Sequence, residues 1–162
     1  MRSELGDATI SADLFGLVTV NGDGLGIGQQ LEYAFPYVDA IAPMVYPSHY
    51  ASGFIGYTNP AEHPYEVIYY SMEHAIARLR AYNKGLIAKS ASTTSDAISH
   101  KPLAVFRPWL QDFDLGADYD AEKVRAQITA FENAASTTPE AMGGWMLWNP
   151  SNVYTREALL AD

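Results

Sequence analysis

Residues 103–113 read LAVFRPWLQDF, and this apolar stretch decides the fold. Its residues alternate between two faces, because successive side chains of a β-strand point to opposite sides of a sheet. Three further stretches have the same character and are followed by turn-forming residues: residues 9–15 (TISADLF), residues 40–46 (AIAPMVY) and residues 144–149 (GWMLWN). We interpret all four stretches as β-strands.

Helical patterns lie between these strands. Residues 64–82 carry apolar side chains at three- and four-residue steps, and residues 121–135 repeat the pattern behind Asp120, a suitable N-cap. Shorter helices are predicted at residues 28–35 and from Thr155 to the end of the sequence. The order β-α-β-α-β-α-β-α favours a parallel sheet with right-handed crossovers.

The length of the chain limits its architecture. A complete (β/α)8 barrel takes about 250 residues, whereas this chain has 162 residues. The sequence therefore predicts a single partial α/β domain over residues 1–162, either an open doubly wound sheet or a parallel (βα)4 half of a TIM-type barrel. Two connections are long, residues 47–63 and residues 83–102, and the Ser/Thr-rich centre at residues 90–99 is expected to be a mobile loop.

The composition narrows the classes of function. Nineteen acidic residues against ten Lys and Arg residues give a net charge of −9, which disfavours nucleic-acid and anionic-lipid partners. The chain contains no cysteine, so a disulfide framework, a thiolate metal site and a cysteine nucleophile are excluded. The sequence contains no run of about 18 apolar residues, so it predicts no membrane-spanning helix. The sequence begins without the pattern of a signal peptide, and the compartment stays unassigned.

Alternation along each strand shows which residues share a face. Ser11 and Asp13 form a polar face of the first strand, and Arg107, Trp109 and Gln111 place an ion, an indole and an amide on one side of the third. In a parallel barrel such residues point into the lumen, and those at the carboxyl ends of the strands line the active site. For the fourth strand, alternation leaves two possibilities for the residues that point into the lumen. They are either Trp145, Leu147 and Asn149, or Met146 and Trp148.

Several blocks of the sequence together resemble a known family. They are ISADLFG, GIGQQ, PYVDAIAPMVYPSHY, NPAEHPYEV, RPWLQDF, VRAQI and WMLWNPSNVYT. In this order they are similar to the "putative glycoside hydrolase" domain family of bacteria, a group of (β/α)8 barrels. The resemblance implies that the four strands correspond to the fifth to eighth strands of the family's barrel. It also implies a fragment that depends on a missing first half, because the family's acidic fourth strand has no counterpart here.

Two aspartates are candidates for glycoside hydrolysis, which needs two carboxyl groups, one protonated and one ionised. Asp13 lies near the carboxyl end of its strand, on the polar face and shortly before a glycine that permits close backbone approach. Its alternative role is a cap or a loop hydrogen bond. Asp112 is the second candidate, although a regular strand places it on the face opposite Gln111, and only a bulge or an early strand end brings it back.

Aromatic and polar residues near the strand ends predict a carbohydrate-binding wall, because flat rings stack on the C–H faces of sugars. The predicted substrate-binding residues are Tyr46, His49, Arg107, Trp109, Gln111, Trp148 and Asn149. Arg107 is expected to be buried and paired with an acidic strand-end residue, the nucleophile or base. His49 is a candidate acid or base with a hydrogen-bonding role as the alternative, and core packing is the alternative for the two tryptophans.

No cofactor and no metal is predicted. The acidic residues between positions 112 and 122 lack the spacing of a calcium loop, and the four histidines lack the spacing of a zinc site. The predicted activity is hydrolysis of a glycosidic bond in a carbohydrate substrate. The alternative is a non-catalytic carbohydrate-binding or structural half-barrel. Its exposed strand edges predict self-association or pairing with a complementary half-barrel.

Overall fold

The chain forms one parallel sheet with helices packed on one of its faces. The computed structural model describes residues 8–92 and 104–159, and the side chains of all of these except residues 86–92. The strands are β1 (Ser11–Phe15), β2 (Ala40–Met44), β3 (Val105–Phe106), β4 (Trp109–Gln111) and β5 (Met146–Trp148). Every pairing is parallel, in the order β1-β2-β4-β5, with β3 also paired to β2. The predicted parallel α/β sheet is therefore confirmed, and it is compatible with part of a TIM-type barrel.

The predicted strand at residues 103–113 consists of two short strands, β3 and β4. They are separated at Arg107 and Pro108, because proline has no backbone N–H to donate to a neighbouring strand. The chain nevertheless stays in the sheet across this break. Arg107 N donates to Ile41 O at 2.9 Å, and Met146 N donates to Pro108 O at 2.9 Å.

Three α-helices cross between the strands: α1 (Leu31–Ala34), α2 (Pro64–Ser92) and α3 (Ala121–Ala135). The bounds of α3 are those predicted, and the Asp120 carboxylate caps it by accepting from Lys123 N at 3.0 Å. The predicted end of the second helix at residue 82 is wrong, because α2 continues to Ser92 through a segment in which Lys84, Leu86 and Ala88 favour the helix. Residues 90–92 are thus helical instead of part of a loop, and residues 93–99 of that predicted loop lie outside the described residues.

The two shorter predicted helices are smaller than expected. Residues 28–35 contain only the single turn of α1, since Gly24, Gly26 and Gly28 have positive φ angles of 73°, 67° and 76° and keep the preceding segment irregular. After Thr155 the chain forms a 3₁₀ turn at Arg156–Leu159. None of the described helices has the length and apolar character needed to cross a bilayer.

The hydrophobic core lies between the sheet and the helices. The sheet contributes Ile41, Val45, Phe106 and Leu110, and the facing helix residues include Ile68, Met72, Ile128 and Phe131. All of these side chains are at most 1% exposed. Among the described residues, helices pack on only one face of the sheet. We call the other face the open face, and it carries the residues of the opposite parity.

Candidate functional site

The open face of the sheet collects most of the residues predicted from strand alternation. The strand registers place Phe15, Met44, Trp109 and Met146 in one row, and Gln111 opposite Trp148 in the next. This answers the question left open for the last strand. Met146 and Trp148 belong to the open face, whereas Trp145 and Leu147 pack against the core.

Asp13 is exposed on this face, and its carboxylate is held by an indole. Trp109 Nε1 donates to Asp13 Oδ1 at 3.1 Å, although one strand, β2, separates β1 from β4. The intervening residue opposite Asp13 is Ala42, whose methyl group leaves room for the contact. Among the described strand residues, Asp13 is the only acidic one.

Aromatic rings extend away from Asp13 in two directions. The rings of Trp109 and Trp148 meet edge to face, with centroids 6.0 Å apart and planes at 84°. The buried Tyr46 ring packs against Phe113 at 5.7 Å and against the exposed His49 at 5.3 Å. Burial, with a smaller contribution from the Asp13 charge, raises the pKa of Tyr46 to about 12. Its hydroxyl therefore stays protonated at neutral pH.

An apolar pocket of about 340 Å³ opens beside this aromatic group, where β1 and β2 end. It is lined by Phe15, Gly16, Leu17, Met44, Tyr46, His49 and Tyr50. Gly16 permits the close approach of the two strand ends, because a Cβ atom at this position would lie 2.4 Å from Met44 O. Tyr50 is anchored beneath it by a hydroxyl contact of 3.1 Å with Ser71, and burial raises the pKa of Tyr50 to about 12.

Gln111 also lies on the open face, but its side chain is buried and connects two loops. Oε1 accepts from Ser48 N at 3.1 Å, and Nε2 donates to Phe113 O at 2.9 Å. The backbone of Gln111 is bound in turn by Gln127 of α3, which accepts from its N–H at 2.9 Å and donates to its carbonyl at 2.7 Å. Gln127 could not be predicted from the sequence, since a glutamine within an amphipathic helix gives no distinct signal.

Arg107 is exposed, which contradicts the expectation of a buried and paired arginine. The strand alternation was correct, but the face to which Arg107 points is not covered by any of the described elements. Among residues 8–92 and 104–159, no carboxylate forms an ion pair with it.

Asp112 and Asn149 lie apart from this group, in the loops that follow β4 and β5. Asp112 is 2% exposed, and its two oxygens accept from Thr155 N at 2.9 Å and Thr155 Oγ1 at 2.7 Å. Asn149 Nδ2 donates to Asp112 O, while Asn149 Oδ1 accepts from Ser151 N at 2.8 Å. Both side chains thus hold the segment after β5 against the end of β4.

An ion pair outside the open face fixes the loop that follows β1. Arg78 of α2 donates to both carboxylate oxygens of Glu32, and its Nη1 also donates to the carbonyls of Val18, Thr19 and Asn21. Hydrogen bonding to Arg78 lowers the pKa of Glu32 below its usual 4.5. The turn that shapes one side of the apolar pocket is therefore anchored to the helix layer.

The described residues contain no cluster of three or more His, Asp or Glu side chains arranged to hold a metal ion. A protein-family model described as "Putative glycosyl hydrolase domain" matches residues 2–154 of the chain. A search of the curated proteins and a search of the solved structures found no significant match to the chain. Since the family model spans nearly the whole sequence, the chain belongs to the family of "putative glycosyl hydrolase" domains.

Proposed function

We propose that the open face of the sheet binds a carbohydrate and that Asp13 is one of the two carboxyl groups of a glycoside hydrolase. The observation that carries this proposal is the contact between Trp109 Nε1 and Asp13 Oδ1, which joins an acidic group to the half-buried ring of Trp109 and, through it, to the exposed ring of Trp148. Indole rings stack on sugars, and a neighbouring carboxylate acts on the bond between two sugar units.

The contact favours one of the two carboxyl roles for Asp13. An indole N–H only donates. Both oxygens of an ionised carboxylate accept such a bond, whereas a protonated carboxyl group uses one of its oxygens as an O–H donor. The nucleophile or the base of a glycosidase acts in this ionised form, whereas the general acid carries a proton. We therefore assign Asp13 to the nucleophile or base, with Trp109 as the residue that orients it.

A second carboxyl group is required for hydrolysis, and one observation favours the non-catalytic alternative. No other described strand residue is acidic, and both oxygens of Asp112 are bound by Thr155. A chain with the aromatic wall and a single carboxylate binds a sugar without cleaving it. In the catalytic form of the proposal, the second group comes from another segment or from a partner.

Pairing with a complementary half-barrel or with a second copy stays a prediction. The edge strands β1 and β5 each have one neighbour among the described strands, so each offers a free edge for a parallel partner. Light scattering after size-exclusion chromatography distinguishes the two cases for the isolated chain. A homodimer gives twice the monomer mass of 17.8 kDa, whereas a strict monomer rules out self-pairing.

The experiment that tests the proposed function compares Asp13→Asn with the parent chain on a panel of neutral and acidic oligosaccharides. Asn keeps an oxygen acceptor for Trp109, so the fold and the binding of sugar are retained. Release of reducing ends falls at least about 100-fold, the usual contribution of an acid–base group. Asp118→Asn is the control, because Asp118 is also exposed but lies in the loop before α3.

Four results are possible, and each one bears on the two candidates. Hydrolysis that Asp13→Asn abolishes supports the enzyme, and hydrolysis at full rate in that variant removes Asp13 from the chemistry. Binding without any release of reducing ends by the parent supports the carbohydrate-binding alternative. A parent chain that binds none of the oligosaccharides contradicts both.

A further inference from the structure

Arg107 lies on the same row of the sheet as Asp13. Phe106 pairs with Ile41 and Asp13 pairs with Ala42, so Arg107 follows on the same row as Ala42 and Asp13. The aspartate and the arginine are therefore separated by two strand spacings, about 10 Å between Cα atoms. Ala42 lies between them in the strand order, and the Trp109 indole reaches Asp13 across the same strand.

The guanidinium of Arg107 has no protein counter-charge within the described part of the chain. It is exposed, it forms no ion pair, and it is the only basic residue in the sheet segments, which are residues 11–15, 40–44, 105–111 and 146–148. Asp13, the one carboxylate that the described strands place on this face, is bound by Trp109. The chain has a net charge of −9, so Arg107 places a positive charge within a mostly negative electrostatic potential.

The neighbours of Arg107 show what kind of ligand would meet it. Trp109 lies two residues further along the same face, and its ring meets Trp148. A sugar ring stacked on Trp109 therefore has a cation on one side and the Asp13 carboxylate on another. A guanidinium binds a planar carboxylate through two parallel N–H···O bonds, a geometry that neutral hydroxyl groups do not match.

We propose that Arg107 selects a sugar that carries a carboxylate, so that the ligand of this site is a uronic acid unit of an acidic polysaccharide. The inference rests on the proposed carbohydrate site. The uronate carboxylate binds the Arg107 guanidinium, the pyranose ring contacts the Trp109 indole, and the glycosidic bond is directed towards Asp13. A neutral sugar in the same place leaves the guanidinium without a partner.

The test uses one pair of ligands with the same sugar backbone, of which one carries charged carboxylates and the other neutral methyl esters. Oligogalacturonate and its methyl ester are titrated by calorimetry against the full chain, with neutral cello- and xylo-oligosaccharides as reference ligands. We expect the acid to bind at least about 10-fold more tightly than the ester, the equivalent of one charge-assisted pair. Arg107→Gln removes this preference, so that the acid and the ester bind with similar affinity.

Two further variants test whether charge alone explains the result. Arg80→Gln removes an exposed arginine of α2, far from the open face in the fold, and it keeps the preference for the acid. Arg107→Lys keeps the charge but loses the planar fork, so it retains only part of the preference. Circular dichroism verifies that each variant is folded.

The outcomes separate this inference from the proposed function. Equal affinity for the acid and the ester, or a loss of preference in Arg80→Gln, overturns the role of Arg107. If neutral oligosaccharides bind while the acid does not, the carbohydrate site stands and the uronate assignment is wrong. Dextran sulfate tests the choice of a carboxylate over a sulfate ester. If it binds as tightly as oligogalacturonate and its binding also depends on Arg107, that choice is wrong. Absence of binding to every glycan overturns both proposals.

Discussion

Trp109 Nε1 donates a hydrogen bond of 3.1 Å to Asp13 Oδ1, across 96 positions of sequence. The contact exists because β1 and β4 both flank β2 and run in the same direction, so their residues of equal parity reach the same side of the sheet. It places the single acidic residue of the described strands beside the indole pair. The proposed function and the proposed selectivity both depend on this relationship.

The first prediction concerns Asp112, which the structure places in a hydrogen-bonded clamp with Thr155. Asp112→Asn turns an accepting oxygen into a donor that faces the Thr155 N–H or hydroxyl. We expect the free energy of unfolding to fall by about 1.5–3 kcal/mol, the range for hydrogen bonds to a charged group. Urea denaturation followed by circular dichroism measures this change.

A double-mutant cycle with Thr155→Val isolates the interaction, because valine has the shape of threonine without its hydroxyl. The two substitutions should show a coupling of about 1 kcal/mol or more. Purely additive effects would mean that the clamp contributes nothing measurable to stability.

The second prediction concerns Gly16, where the ends of β1 and β2 approach most closely. An added Cβ atom would lie 2.4 Å from Met44 O and 3.0 Å from the Tyr50 hydroxyl oxygen. Gly16→Ala should therefore lower the free energy of unfolding by about 1–3 kcal/mol, as expected for overpacking. Gly22→Ala is the matched control, since no heavy atom lies within 4 Å of a Cβ there. Equal stability of the two variants would disprove the close approach.

The third prediction is a pH dependence that arises from Glu32. Because Arg78 lowers the folded-state pKa of Glu32 below 4.5, the ion pair stabilises the fold above that pH. The contribution is lost as the pH falls through the lowered pKa. At neutral pH we expect Glu32→Gln to reduce the free energy of unfolding by about 1–2 kcal/mol.

Thermal unfolding at several pH values checks this dependence. The difference between the parent and Glu32→Gln should shrink as the pH is lowered from about 5 to about 3. The exposed Glu140 provides the control, and Glu140→Gln should follow the parent at every pH. A constant difference between the parent and Glu32→Gln over this range would contradict the assignment.

Strand alternation predicted the sheet and much of the open face. Apolar runs defined the strands, and the parallel order followed from the helices between them. The same parity placed Asp13, Arg107 and Trp109 on one face, where the structure also has them. Alternation is a local property of the backbone, and it is therefore readable without knowledge of tertiary contacts.

The exposure of side chains and their hydrogen-bond partners could not be predicted from strand alternation. Arg107 was expected to be buried because its neighbours in sequence are apolar, yet burial depends on what covers the face. The bonds of Asp112 to Thr155 and of Gln111 to Gln127 join residues 43 and 16 positions apart. Such pairings are decided by how loops and helices pack, and no local pattern encodes them.

The binding of a carbohydrate to the open face is tested most directly by NMR. The three indole N–H signals are followed while an oligosaccharide that binds the chain is titrated in. Tryptophan-to-phenylalanine variants assign the signals. Trp109 and Trp148 lie on the open face, whereas Trp145 packs against the core and serves as the internal control. We expect saturable shifts of the Trp109 and Trp148 signals, with the Trp145 signal unchanged. A titration that shifts Trp145 and leaves Trp109 in place would contradict this expectation.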